Sequence, residues 1–149
     1  MVVFTNYALR ALLLDITQAS GGVAGILNGA KAHLFTNAIV PTADSVVSNF
    51  SEATFTSYVA ATISWNTPAY TNGNNQAEMT AGTLVFVAGA SPTTQTIYGA
   101  FVTDSGGTNL LWAERFSIPV LVNSQGDGVT YVPALVPSFT TGIPQSVAP

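Results

Sequence analysis

The sequence contains no cysteine, one histidine and few charged residues. Without cysteine, a disulfide framework, a thiolate zinc site and a cysteine nucleophile are all excluded. The single histidine, His33, also excludes the motifs in which two histidines bind a metal ion. Charged residues make up 7% of the chain, where about 25% is usual. Thr, Ser, Asn and Gln side chains and the backbone must therefore cover most of the surface.

The few basic residues restrict the partners. Three Lys and Arg residues and a formal net charge of −4 argue against nucleic acid, because binding it requires many phosphates to be neutralised. The start of the sequence, Met1–Tyr7, has no basic residue, and Asp15 cuts short the later apolar run Ala11–Leu14, so no export signal is predicted. No stretch approaches the roughly 18 apolar residues of a membrane span, so no membrane partner is expected.

The chain of 149 residues has the length of one domain. Residues 1–132 are predicted to form a single β-rich domain, and residues 133–149 an extended, proline-rich C-terminal tail. Leu9, Leu12, Leu13 and Ile16 recur at helical spacing, which predicts one N-terminal amphipathic helix over Thr5–Gln18. The fold class is therefore expected to be mainly β, an antiparallel β-sandwich or jelly-roll-like domain preceded by one helix.

Short runs of β-branched and aromatic residues separated by turn residues predict the sheet. The segment Pro41–Phe50 is expected to contain one or two helical turns. Thr83–Ala88 is nearly all apolar, which predicts a strand buried on both faces, or buried on one face and covered on the other by a neighbouring subunit. The glycines of Asp104–Gly107 predict a hairpin. Strands are predicted over Ala30–Phe35, Thr54–Val59, Ala61–Trp65, Thr83–Ala88, Thr96–Val102, Asn109–Phe116 and Val129–Val132.

The candidate catalytic and charged residues favour structural roles. His33 could act as a general base, but the adjacent sequence holds no carboxylate to orient it, and its nearest acid is Asp44. A packed or surface histidine is the preferred interpretation. Glu114 and Arg115 point to opposite faces of a strand, so they do not form a dyad. Arg115 is expected to form a structural ion pair on a neighbouring strand or subunit. No catalytic residue is therefore assigned, and the chain is predicted not to be an enzyme.

The polar loops and the aromatic residues also favour structural interpretations. Asp104–Asn109 and Gln125–Gly128 lack the alternating acids of a calcium loop and are read as turns. Gly21–Gly25 follows a predicted helix and lacks the lysine of a phosphate-binding loop, so it is read as a linker. No metal or cofactor is expected. Six aromatic residues could stack on carbohydrate, but core packing or subunit contact is favoured: Trp65, Trp112, Tyr58, Tyr70, Tyr98 and Tyr131.

Several segments resemble a pattern of small tailed-phage virion proteins. They are His33–Asn37, Pro41–Thr42, Phe50–Tyr58, Gln95–Thr103 and Leu111–Phe116. The resemblance carries no catalytic residue. It implies a virion component, made in the host cytoplasm, that acts as a capsid decoration or cement protein. Its partners would be the major capsid protein and further copies of itself, and a trimer is expected by analogy with other decoration proteins.

The sequence thus indicates a structural virion protein that binds the outer surface of a phage capsid and stabilises the shell. Low charge supports contact between protein surfaces, since Lys and Glu are depleted in interfaces. The alternative is a tail-tip or adhesin-like module that binds host surface glycans through exposed aromatics and loops such as Asn72–Gln76. Glycan binding predicts aromatic side chains clustered in a groove, whereas capsid binding predicts a broad, flat patch.

Overall fold

The computed structural model describes residues 2–5, 27–65, 70–71 and 77–135. This part of the chain is mainly β, and its strands pair antiparallel. A 3-10 turn, Val47–Asn49, lies within the segment expected to be helical. The strands are β1 (Val2–Phe4), β2 (Lys31–Phe35), β3 (Ala61–Thr62), β4 (Tyr70–Thr71), β5 (Ala77–Thr80), β6 (Leu84–Val87), β7 (Gln95–Thr103), β8 (Leu110–Val122), β9 (Gly128–Tyr131) and β10 (Ala134–Leu135).

The central sheet has the strand order β1-β8-β7-β2-β3. The two longest strands of this sheet, β7 and β8, form a hairpin, which confirms the hairpin predicted at Asp104–Gly107. Gly107 adopts a φ of 74°, a conformation that glycine reaches without steric cost. Strand β8 is longer than predicted and continues to Val122, because it pairs with β7 at both ends of that strand, from Thr103 to Gln95.

A β-bulge lies at the start of β8. Thr103 pairs with Leu110 and Val102 pairs with Trp112, so Leu111 is the extra residue. The bulge places Leu111 and Trp112 together in the main core. Thr5 follows β1 and bonds the bulged strand, since its N–H donates to the Leu111 carbonyl over 3.0 Å and its hydroxyl contacts the Leu110 carbonyl. The first strand is thereby tied to the hairpin.

Each face of the central sheet is covered by its own set of apolar side chains. Ala32 and Leu34 alternate with His33 and Phe35, as expected for a strand buried on both faces. The main core packs β2, β7 and β8 against β6 and β9, and it includes Leu34, Phe55, Ile63, Phe86, Ile97, Val102, Leu111, Trp112, Val129 and Tyr131. The opposite face holds a smaller cluster: Phe35, Phe50, Phe101, Leu110 and Ala113.

Two smaller sheets complete the described chain. Strands β6 and β9 form a two-stranded ribbon, and β5 lies between β10 and β4. Pro133 is fully buried, and its carbonyl accepts the Ala81 N–H over 2.8 Å. The first residues of the predicted tail therefore pair with the sheet, while residues 136–149 lie outside the described part of the chain.

One predicted strand is wrong, and the predicted helix lies almost wholly outside the described residues. Thr54–Val59 was expected to be a strand, but it turns at Thr56–Ser57, and Ser57 has a φ of 72°. The turn closes because the Tyr58 N–H donates to the Phe55 carbonyl over 2.9 Å, which directs both aromatic rings into the core. The predicted helix over Thr5–Gln18 lies outside the described residues beyond Thr5 itself.

Candidate functional site

The lone histidine is held between two polar side chains. Its Nδ1 lies 2.7 Å from Oε1 of Glu52, and its Nε2 lies 3.1 Å from Oγ1 of Thr103. Strand pairing explains the geometry: His33 and Thr103 lie on one face of β2 and β7, and a bridge between Phe35 and Glu52 brings the carboxylate beside them. The contact joins β2, β7 and the segment that follows Phe50.

Tyr58 completes this group, which we call the polar clasp (His33, Glu52, Tyr58 and Thr103). The Tyr58 hydroxyl accepts the N–H of Leu34 over 2.9 Å and donates to Oε1 of Glu52 over 3.0 Å. Burial raises the pKa of Tyr58 above its usual range, and the nearby Glu52 charge adds to the rise. The hydroxyl therefore stays protonated at neutral pH and remains a donor to the carboxylate.

The order carboxylate, imidazole, hydroxyl is also the order of a nucleophilic triad. In this chain Thr103 is 0% exposed, and its hydroxyl also donates to the Asp104 carbonyl over 3.0 Å. A nucleophile must reach its substrate, and this oxygen is enclosed by the hairpin. The geometry of the polar clasp thus suits holding the segment around Glu52 against β2.

Aromatic stacking fixes the imidazole ring. The ring of His33 stacks on Phe101 with centroids 4.7 Å apart and an interplanar angle of 11°. Phe50 stacks on the other side of the cluster, 5.1 Å from Phe101 at 16°. The His33 side chain is 11% exposed, so it is a packed histidine rather than an open one. The sequence reasoning missed Glu52, because it lies 19 residues away and only the fold brings it near.

Glu114 and Arg115 lie on opposite faces of β8, as the alternation predicts. The guanidinium of Arg115 lies 5.8 Å from the ring centroid of Tyr98, which is a cation–π contact. Glu114 lies toward Tyr131, whose pKa is raised to about 12 by burial, with a smaller contribution from the Glu114 charge.

The two loop aspartates close turns. Oδ1 of Asp104 accepts the Thr108 N–H over 3.0 Å, and Oδ2 accepts the side-chain amide of Asn109 over 2.6 Å. Partial burial alone would raise the pKa of Asp104, but these hydrogen bonds outweigh it and lower the pKa. Asp127 accepts the N–H groups of Asn123 and Ser124, which lower its pKa. Among the described residues, no group of three or more His, Asp or Glu could hold a metal ion.

The aromatic residues considered for glycan stacking pack inward where the structure describes them. Trp112 and Tyr131 are buried, 1% and 6% exposed, and the Trp112 indole donates to the Tyr131 hydroxyl over 3.3 Å. Tyr58 and Trp65 pack against the same core. Tyr98 lies beneath Arg115. The side chain of Tyr70 and the loop Asn72–Gln76 lie outside the description.

The ribbon of β6 and β9 presents an exposed apolar surface, which we call the valine face (Val85, Val87, Thr130 and Val132). Phe86 points into the core, so its neighbours point outward by alternation. Val85, Val87 and Val132 are 60%, 47% and 48% exposed, and Thr130 lies opposite Val85. Strand β6 is therefore buried on one face only within a single chain.

No family model, curated protein or solved structure matches the chain. In the described ranges, no helix is long and apolar enough to cross a membrane.

Proposed function

We propose that this chain is a structural virion protein that binds the outer surface of a phage capsid and stabilises the shell. The observation that carries the proposal is the valine face, where three valine side chains are exposed and no residue is charged. A solvent-exposed strand face normally carries polar residues. An apolar, uncharged face instead suits a flat protein surface that covers it.

The resemblance to tailed-phage virion proteins gives the partner. Its segments form β2, the Phe50–Tyr58 segment and the β7–β8 hairpin, which together build the centre of the fold. We propose that the central sheet and the β6–β9 ribbon form the two layers of a β-sandwich, with the valine face as the outer surface of one layer. The partner is then the major capsid protein, and the protein resides in the virion.

Glycan binding is the weaker alternative. It requires exposed aromatic side chains in a groove, and the described tryptophans and tyrosines instead pack against the core or beneath Arg115. The capsid proposal also predicts weak salt dependence, because a contact without charges is little affected by screening.

The test mixes the recombinant full chain with undecorated capsids of the source phage and measures co-sedimentation, followed by cryo-electron microscopy. Density repeated over the shell is the expected result. Val85→Lys and Val87→Lys should each weaken binding at least tenfold, because burying an unpaired ammonium costs more than the roughly 1.4 kcal/mol that a factor of ten represents.

Val59→Lys is the matched control, since Val59 is 73% exposed and lies outside the valine face; it should bind as the wild type does. Failure to co-sediment, density at the tail alone, or equal loss with the Val59 control would refute the proposal. In that case a glycan array becomes the informative assay.

A further inference from the structure

Strand β8 contains more residues than its pairing with β7 requires. Val120 pairs with Ile97 and Arg115 pairs with Gly99, so four residues of β8, Phe116 to Pro119, stand opposite Tyr98 alone. Extra residues bend a strand outward and interrupt its ladder. We call this segment the knob (Phe116–Pro119).

The knob projects apolar atoms from a fixed base. Ile118 at its tip is 77% exposed, the highest value among the large apolar residues of the described chain. Phe116 and Val120 at its two ends pack against the main core. No residue from Phe116 to Val122 is charged. Burying such a tip in a complementary pocket would remove its apolar surface from water, which favours contact.

A cleft of about 370 Å³ lies beside Leu110, at the start of the same strand. Apolar walls come from Val46, Val47 and Leu110, and the carboxylate of Asp44 lies at the lining. Ligand pockets measure about 300–1,000 Å³, so this cleft has the size for one or two side chains. Its lining also includes Thr5, Ala43, Ser45, Thr108 and Asn109.

The knob does not reach the cleft of its own chain. Leu110 to Arg115 are five residues along β8, which at about 3.3 Å per residue separates the two features by roughly 15 Å before the knob begins. A projection and a pocket on different parts of one molecule combine between copies, in a head-to-tail contact. The charges agree, because Arg115 beside the knob and Asp44 in the cleft have opposite signs.

We propose that copies of this chain associate head to tail, with Ile118 and Pro119 of one copy inserted into the cleft beside Leu110 of the next. Such a contact generates a closed ring when the rotation closes, and a trimer is one such ring. The contact is separate from the valine face, so it does not rest on the proposed function and leaves that face directed at the shell.

The experiment uses analytical ultracentrifugation of the full chain and two variants. Ile118→Asp places a charge at the tip of the knob and leaves the cleft intact. Val46→Lys places a charge in the cleft and leaves the knob intact. Both residues are exposed, 77% and 53%, so each variant should keep the wild-type circular dichroism spectrum. The wild type is expected to be a closed oligomer and each variant alone a monomer.

Mixing the two variants discriminates insertion of a knob into a cleft from contacts of knob with knob or of cleft with cleft. One intact knob and one intact cleft remain in the mixture, so a heterodimer should form and nothing larger. Val59→Lys, exposed elsewhere, should assemble as the wild type does. A monomeric wild type, a variant that still assembles fully, or a mixture that stays monomeric would overturn the proposal. Monomeric Ile118→Asp that still binds capsids would separate this contact from the valine face.

Discussion

Gly99 has the tightest surroundings among the described glycines and offers a sharp test of the fold. The residue pairs with Phe35 of β2 on one side and Arg115 of β8 on the other. A Cβ atom built on Gly99 would lie 2.1 Å from the Glu114 carbonyl oxygen and 2.6 Å from two ring atoms of Phe35. Real Cβ contacts are not that short, so Gly99→Ala requires either the ring or the hairpin to shift.

The cost follows from the two clashes. Adding a methyl group to a packed interior costs about 1–3 kcal/mol, and occasionally more. The Phe35 ring is 0% exposed and has little room to move, and no rotamer change relieves a main-chain carbonyl. Alanine is favoured over glycine in a strand by about 0.5–1 kcal/mol. We therefore expect Gly99→Ala to lower the free energy of unfolding by about 2 kcal/mol.

Urea unfolding followed by tryptophan fluorescence measures this change. With an m value of about 1–3 kcal/mol per molar urea, the midpoint should fall by about 1 M. Gly82→Ala is the matched control, because a Cβ at Gly82 meets nothing within 4 Å, and it should be neutral or slightly stabilising. A Gly99→Ala midpoint equal to the wild type, with the control also unchanged, would refute the register of β2, β7 and β8.

Two further predictions concern hydrogen bonds. Tyr58→Phe leaves the Leu34 N–H without its acceptor, so it should lower the free energy of unfolding by about 1–3 kcal/mol; Tyr98→Phe, which keeps its ring beneath Arg115, should change it little, and equal effects would contradict the polar clasp. The lowered folded pKa of Asp104 lies below its unfolded value of about 3.9. Its contribution to stability is therefore complete above that value and is lost as the pH falls through the folded pKa. In Asp104→Asn, the free energy of unfolding, measured by urea unfolding at a series of acidic pH values, should fall less steeply as the pH decreases. The same pH dependence as in the wild type would contradict the hydrogen bonds of this turn.

Local patterns in the sequence predicted the parts of the fold that local physics decides. The glycines of Asp104–Gly107 fixed a tight connection, and the flanking β-branched and aromatic residues predicted β7 and β8 on either side of it. Alternation placed Glu114 and Arg115 on opposite faces. The mainly β, antiparallel fold class is confirmed on these grounds, because strand propensity and turn chemistry act over a few residues.

Features that depend on distant pairing were not predictable. Glu52 reaches His33 only because the chain crosses the edge of β2 after Phe50. The knob exists because four residues of β8 find one partner in β7, and a run of apolar residues gives no sign of such a mismatch. Thr54–Val59 has strand composition, yet its backbone turns so that Phe55 and Tyr58 both enter the core.

In the described part of the chain, several charged residues stabilise the fold, whereas the exposed apolar residues are available for association. Glu52 binds His33 and Tyr58, and Asp104 and Asp127 close turns. These charges are engaged inside the chain, so their removal should weaken folding before it weakens binding. The side chains of the valine face and of Ile118 should instead affect binding before folding, because they contribute little buried area to the fold. Substitutions there should alter association while the urea midpoint stays unchanged, and a parallel loss of both properties at Val85 or Ile118 would show that these residues serve the fold instead.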